Sequence, residues 1–220
     1  MVFRYQDRAA PELHFEVVSA EVLKYAALPT LLFKLRIENT EAAAVRSIAL
    51  QTQIRIATAQ RHYDAEEQER LLEVFGETHR WGQTLKSMLW THTTVQAPAF
   101  KDAVVVDMLV PCTYDFEVVS AKYFHNLEGG EVPLEFLFSG TVFYSGDMGL
   151  QVMQLSWEKE ASFSMPISLW KDAMDHHFPN SAWLRLRKDV FDRLYSYKTQ
   201  RGLLTWEDAL EKLLRAGEAP

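Results

Sequence analysis

A chain of 220 residues, 48% hydrophobic and 24% charged, is long enough to bury a substantial core and too apolar to remain unfolded. Its 30 acidic and 23 basic side chains give a net charge of -7, which opposes binding to a phosphate backbone. The one cysteine, Cys112, excludes an intramolecular disulfide and any zinc site that needs two thiolates.

The first residues, MVFRYQDRAAPELHFEV, carry charges where a secretory signal needs an apolar run. No stretch reaches the roughly 18 uninterrupted apolar residues of a membrane span. A reduced, cytoplasmic protein is expected. Strands come first. Leu13, Phe15 and Val17 alternate with polar neighbours, and in PTLLFKLRIEN the residues Leu31, Phe33, Leu35 and Ile37 oppose Lys34, Arg36 and Glu38. In SIALQTQIRIAT, Ile48, Leu50, Ile54 and Ile56 oppose Gln51, Gln53 and Arg55. A period of two over this length means strands with one face in the core and one in water.

A helical insert is expected next. Asp64 can cap DAEEQERLLEVFG, with Glu67 three residues on forming a capping-box pair, and Gly76 can end it in a left-handed conformation. A shorter turn is expected around 84–88. Strands then resume in LWTHTTVQA, AVVVDMLV, CTYDFEVVS and VPLEFLFSGTVFY, followed by an extended LQVMQLSWEKEASFSMP up to Pro166. Gly140 lies in register within its strand, where a bulge or a close backbone approach is expected. About eight strands with turns between them favour an antiparallel sandwich over a parallel sheet.

After Pro166 the period turns helical. Ser168 can cap SLWKDAMDHHF, Pro179 and Asn180 break it, and Asn180 or Ser181 can cap a second helix. That helix carries Trp183, Leu186, Val190, Leu194 and Tyr197 as its apolar stripe. Gly202 closes it, and Thr205 with Asp208 opens a last helix bearing Leu210, Leu213 and Leu214. The fold class is therefore mainly β (α+β). Residues 1–166 form an antiparallel β-sandwich with a helical insert near 64–76, and 167–220 a C-terminal helical subdomain packed on it.

Chemical signals are sparse. Asp175-His176-His177 raises a metal reading, and a phosphoesterase family named for an Asp-His-His motif binds metal with it at the end of a strand. Here the triplet ends a helix, where adjacent side chains diverge by about 100° and a histidine is favoured by the helix dipole. His177 shares the apolar face of Trp170, Ala173 and Met174, so it is expected to point inward, with His176 facing solvent or another element. His14, His62, His79, His92 and His125 show no spacing that metal chemistry uses. Cys112 alternates with Tyr114, Phe116 and Val118 and reads as a buried hydrophobe, not a nucleophile. Glu158 and Glu160 read as an outward strand face. No catalytic residue, cofactor site or metal site emerges.

Arg185, Arg187, Lys188, Arg193, Lys198 and Arg201 stand against only Asp189 and Asp192, the one basic patch on an acidic chain. It reads either as a docking face for an acidic protein or as a solvated surface. PTLLFKLRIEN, FGETHRWGQTLKSMLWTHTTVQAPAF, VPCTYDFEVVSAKYFHNLEGGEVPLEFLFSGTVFY and MDHHFPNSAWLRL together resemble an uncharacterised bacterial family across Phe15 to Leu214. The resemblance implies a setting near nickel-iron hydrogenase genes, hence an accessory or assembly factor for a multi-subunit redox enzyme, and implies no activity.

The residues themselves support a non-catalytic interaction protein whose partner is another protein, with no nucleic acid or membrane involved. Large aromatics that often anchor interfaces favour this reading. Two others compete with it: a metal-dependent hydrolase using Asp175, His176 and His177, and a carrier of a small apolar ligand inside the β domain.

Overall fold

The computed structural model describes residues 10–113, 115, 118–147, 149–181 and 185–217. Among them are eight strands: Leu13–Val22 (β1), Thr30–Asn39 (β2), Val45–Ile56 (β3), Met88–Ala97 (β4), Ala103–Pro111 (β5), Glu131–Gly146 (β6), Gly149–Gln154 (β7) and Glu160–Pro166 (β8). The helices are Ala65–Arg70 (α1), Leu72–Phe75 (α2), Trp81–Thr84 (α3), Val119–Asn126 (α4), Ile167–His177 (α5), Lys188–Gln200 (α6) and Trp206–Gly217 (α7). The chain divides into two compact units, Met1–Ala182 and Trp183–Pro220.

In the first unit all paired strands are antiparallel. One sheet has the order β1-β2-β5, the other β4-β3-β6-β7, with β8 also on β6. The inner faces are the alternating apolar residues of each strand, so Leu31, Phe33, Leu35 and Ile37 of β2 and Ile48, Leu50, Ile54 and Ile56 of β3 are buried. Phe15 stacks on Phe138 at 4.5 Å and Phe33 meets Phe136 edge-on at 5.4 Å, which ties one sheet to the other. The fold is a mainly β, antiparallel sandwich with added helices.

The long strand β6 has a divided edge. Residues 131–137 pair with β8 and 141–146 pair with β7. At the handover Phe138 donates to the Lys159 carbonyl at 2.9 Å, and Leu155 donates to the Gly140 carbonyl at 2.9 Å. Gly140 has φ 151°, and a Cβ there would lie 2.2 Å from the Ala49 carbonyl oxygen, so the expected close backbone approach is present.

Aromatic packing continues from the sandwich into the helices. Phe33 touches Trp90, Trp90 touches Phe124 of α4, and Phe124 touches Trp170 of α5. Tyr123, Phe124, Phe33, Phe136 and Trp170 are almost wholly buried. Among the described residues, most of the large aromatics are buried in the core or packed against it. α5 packs against β1, β2, β8 and α4, so its contacts are with the elements that precede residue 166.

Several local expectations need correction. The strand expected over CTYDFEVVS is absent at its described end: Val119 and Ser120 open α4, whose Tyr123 and Phe124 reward a helix with burial. Tyr114, Phe116 and Glu117 lie outside the described residues. The turn expected at 84–88 comes earlier, as a 3-10 turn over Thr78–Arg80 followed by α3. Asp64 caps α1 through the Glu67 amide at 2.8 Å, but the Glu67 carboxylate turns inward instead of closing a capping box. α5 starts at Ile167, whose amide donates to Gly130 at 3.0 Å, so Ser168 is not its cap.

The second unit holds α6 and α7. α6 begins only at Lys188, with Arg187 at its N-cap, so neither Asn180 nor Ser181 caps it. Trp183 lies outside the described residues. Leu186, Val190, Leu194 and Tyr197 are half-buried, as the stripe requires. Thr205 and Asp208 form a reciprocal capping box, amide to carboxylate at 3.2 Å and amide to hydroxyl at 3.0 Å. The Thr205 hydroxyl and amide hold the Asp208 carboxyl below its usual value.

Candidate functional site

The triplet at the end of α5 does not converge. His176 Nε2 lies 3.0 Å from the Lys24 carbonyl, and His177 reaches two carbonyls, Ala173 at 2.9 Å through Nδ1 and Ala26 at 3.1 Å through Nε2. Lys24 and Ala26 belong to the loop joining β1 and β2. The ring nitrogens thus fasten a helix end to a hairpin loop, and a nitrogen donating to a carbonyl has no lone pair for a metal. A neutral His177 ring serves one of its two carbonyls at a time. His177 is half-buried while His176 and Asp175 are exposed, the division that the helical spacing requires. Among the described residues no three His, Cys, Asp or Glu side chains come within reach of one ion.

The densest buried polar cluster lies elsewhere, between the helical insert and the loop before β6. Arg61 Nη2 meets Glu67 Oε1 at 2.7 Å, with the two side chains 9% and 5% exposed. The same guanidinium donates to the carbonyls of Glu131 at 2.7 Å and Gly129 at 2.8 Å. Glu67 also accepts from the Glu128 amide at 3.2 Å. Beside it Tyr63 donates to the Thr58 carbonyl at 2.9 Å, so its single proton is used and Tyr123 is the donor in the 2.9 Å bond between the two hydroxyls. Burial pushes both phenols above their usual range, Tyr123 further than Tyr63. Every polar partner here is a fixed protein group, so the cluster braces two loops rather than presenting a reactive atom.

Cys112 follows β5 and is 8% exposed. Its amide donates to Pro29 at 2.7 Å, and burial pushes the thiol up to about 12. The thiolate that reacts with disulfide reagents is therefore scarce at neutral pH. Native protein should resist an aromatic disulfide reagent over hours and release one equivalent of chromophore on unfolding in guanidinium. Stoichiometric labelling of the folded protein within seconds would contradict this.

The basic residues of the second unit are not gathered on one stripe. Arg185 precedes α6, Arg187 caps it, and Lys188, Arg193 and Lys198 recur every five residues, turning about 140° around the axis at each step. Arg187 pairs with Asp189 at 3.1 Å and Lys188 with Asp192 at 2.5 Å. Lys198 lies over the Trp206 ring at 5.5 Å and Arg201 over the Tyr197 ring at 5.4 Å. Within this unit, among its described residues, Arg185, Arg193 and Arg201 have no carboxylate in ion-pair contact. Phe191, Tyr195 and Trp206 pack together between α6 and α7, with Phe191 and Trp206 at 5.4 Å. Outside that contact Leu204 is 88% exposed, and Leu210, Leu213 and Leu214 of α7 are exposed as well.

Sequence reasoning missed Arg61, whose two carbonyl partners stand some seventy residues away, and it read its ion-pair partner Glu67 only as part of a cap. No helix among the described residues is long and apolar enough to cross a membrane.

Three solved structures show partial likeness. A CARDB domain from Pyrococcus furiosus, in complex with di-metal ions, is 12% identical, with 70% of this chain and 91% of that one covered and a TM-score of 0.28. A putative ApaA protein from Bordetella pertussis is 11% identical, with 72% and 97% covered and a TM-score of 0.27. Beta-glucosidase 3B from Thermotoga neapolitana, in complex with glucose, is 14% identical over 70% of this chain but only 17% of its own, with a TM-score of 0.27. All three TM-scores lie below 0.5 and assign no functional residue. No curated protein matches the chain. The model of a family of unknown function, DUF6084, matches residues 10–220, and the chain belongs to that family.

Proposed function

We propose that the protein is a non-catalytic, cytoplasmic interaction protein in which the sandwich is the scaffold and the C-terminal helical unit engages an acidic protein. The observation that carries this reading is the side-chain pattern of that unit. Leu204, Leu210, Leu213 and Leu214 stay exposed in a short helical pair, in a unit that also carries Arg185, Arg193 and Arg201 without an ion-pair partner among the described residues. Exposed apolar surface on a small helical unit is the composition of a docking face. The cations would steer an acidic surface and the leucines would hold it. The resemblance to proteins encoded near nickel-iron hydrogenases suggests the setting, an accessory or assembly role for a multi-subunit redox enzyme.

Affinity capture from the native host, comparing the wild type with an Arg185→Glu, Arg187→Glu, Arg193→Glu variant, tests this. The exposed arginines contribute little to stability, so the melting temperature should hardly move. Recovery of the acidic partner should fall at low salt and converge with the wild type at high salt, where screening removes the steering. Equal recovery at low salt would reduce the patch to a solvated surface. The identity of the captured protein decides the redox-enzyme setting separately.

A further inference from the structure

The outer face of the larger sheet carries a continuous hollow that reaches Leu109 and Pro111 of β5. One part, about 450 Å³, is bordered by Gln96, Thr141 and Gln154, and the adjoining part, about 900 Å³, by Gln53, His92 and Trp157. Gln51, Thr94 and Ser139 border both parts, so the two are one depression. Strand register explains the arrangement. Gln51 of β3 pairs with Thr94 of β4 on one side and Ser139 of β6 on the other, and Thr141 pairs with Gln154 of β7. Same-face rows along a strand stand about 6.6 Å apart, so the three rows span roughly 13 Å, enough for a short chain of rings.

The lining is unusual in its charge. Among the described residues His92 is the one ionisable side chain bordering either part, in a protein where 24% of residues are charged. Amide and hydroxyl groups from Gln51, Gln53, Gln96, Gln154, Thr94 and Ser139 alternate there with apolar groups, among them Leu109, Pro111, Leu137 and Phe138. At one end Trp157, in the turn that carries the chain from β7 to β8, is 90% exposed.

We infer that this face binds an uncharged carbohydrate chain. A sugar hydroxyl both donates and accepts, and glutamine amides, serine and threonine are the side chains that do both without charge. The flat indole of Trp157 offers an apolar surface for the C–H face of one ring while its neighbours hydrogen-bond the hydroxyls. A nucleic acid or an acidic peptide would need cations here. The inference is independent of the helical unit and stands whether or not that unit binds a protein.

The test is titration of the isotope-labelled full-length protein with neutral hexasaccharides of glucose, xylose, mannose and N-acetylglucosamine, followed by nuclear magnetic resonance. A hyaluronan hexasaccharide is the charged comparison. At least one neutral hexasaccharide should shift the Trp157 indole resonance and the side-chain amides of Gln51 and Gln154. Trp157→Ala should weaken that binding about tenfold and Gln51→Ala about fivefold, with unchanged melting because both side chains lie on the surface. The inference is overturned if no neutral sugar shifts these resonances at about 10 mM, the weak limit of a specific site. It is equally overturned if Trp157→Ala binds as tightly as the wild type, or if hyaluronan binds as tightly as the neutral sugars. Broadening of the same resonances with protein concentration, without sugar, would assign the face to a second copy of the chain and overturn it too.

Discussion

Replacing Glu67 by alanine is expected to lower the unfolding free energy by about 3–5 kcal/mol, because it strands a buried guanidinium. Arg61 is only 9% exposed on its side chain and would keep just the carbonyls of Gly129 and Glu131. The Glu128 amide would lose its acceptor at the same time. Both effects push in one direction, since an unpartnered buried donor costs more than the hydrogen bond was worth. A paired replacement, Arg61→Met with Glu67→Leu, removes both charges and should recover most of the loss. Urea unfolding of the three proteins, compared at equal slope, measures this. A loss below about 1 kcal/mol for Glu67→Ala would show that the pair is solvated and not a brace.

Gly140→Ala is the second large effect, about 3–5 kcal/mol, and here the cause is steric. The added methyl carbon would sit 2.2 Å from the Ala49 carbonyl oxygen and 3.2 Å from Leu50 Cα, all backbone atoms of the paired strand. Neither can retreat without opening the ladder between β3 and β6, where Gly140 pairs with Leu50. Conformational strain adds to this at φ 151°. Gly149→Ala separates the two causes: it has φ 108° but nothing within 4 Å of the new carbon. It should cost about 1–2 kcal/mol from backbone strain alone. Equal losses at the two glycines would remove the steric argument.

The sandwich was legible because alternation is a local signal. Leu31 to Ile37 and Ile48 to Ile56 announce which side of each strand meets the core, and the structure buries those sides. The number of strands agrees for a less direct reason. At the described end of the strand expected over 112–120 α4 begins, while the single extended stretch after residue 149 is two strands, β7 and β8, on opposite halves of β6. α4 was hidden because Cys112, Tyr114, Phe116 and Val118 mimic a period of two just before a helix of only eight residues. The helix-end reading of His176 and His177 rested on angular spacing, which a helix fixes whatever surrounds it.

Candidate sites were far less legible. The carbonyls of Gly129 and Glu131 that complete the Arg61 cluster lie far along the chain, and no local pattern marks contacts that distant. Gln51 and Gln53 were read correctly as an outward face. That the face is hollow, uncharged and overlooked by Trp157 depends on five strands and a turn drawn from separate parts of the chain.

The pairing of β3 with β6 has a consequence for the order of assembly. β3 ends at Ile56 and its central partner begins at Glu131, so the middle of the larger sheet cannot close until most of the first unit has been synthesised. The hairpin of β1 and β2 can form early, with a short connection, but β2 must also wait for β5. Loops of this length make closure slow, since their entropy is lost before any contact repays it. During that delay β3, with Ile48, Leu50, Ile54 and Ile56 along one side, is an uncovered apolar ribbon. Its opposite side, bearing Gln51, Gln53 and Arg55, keeps the waiting strand hydrated, so the polar surface guards the nascent chain before it serves the folded one.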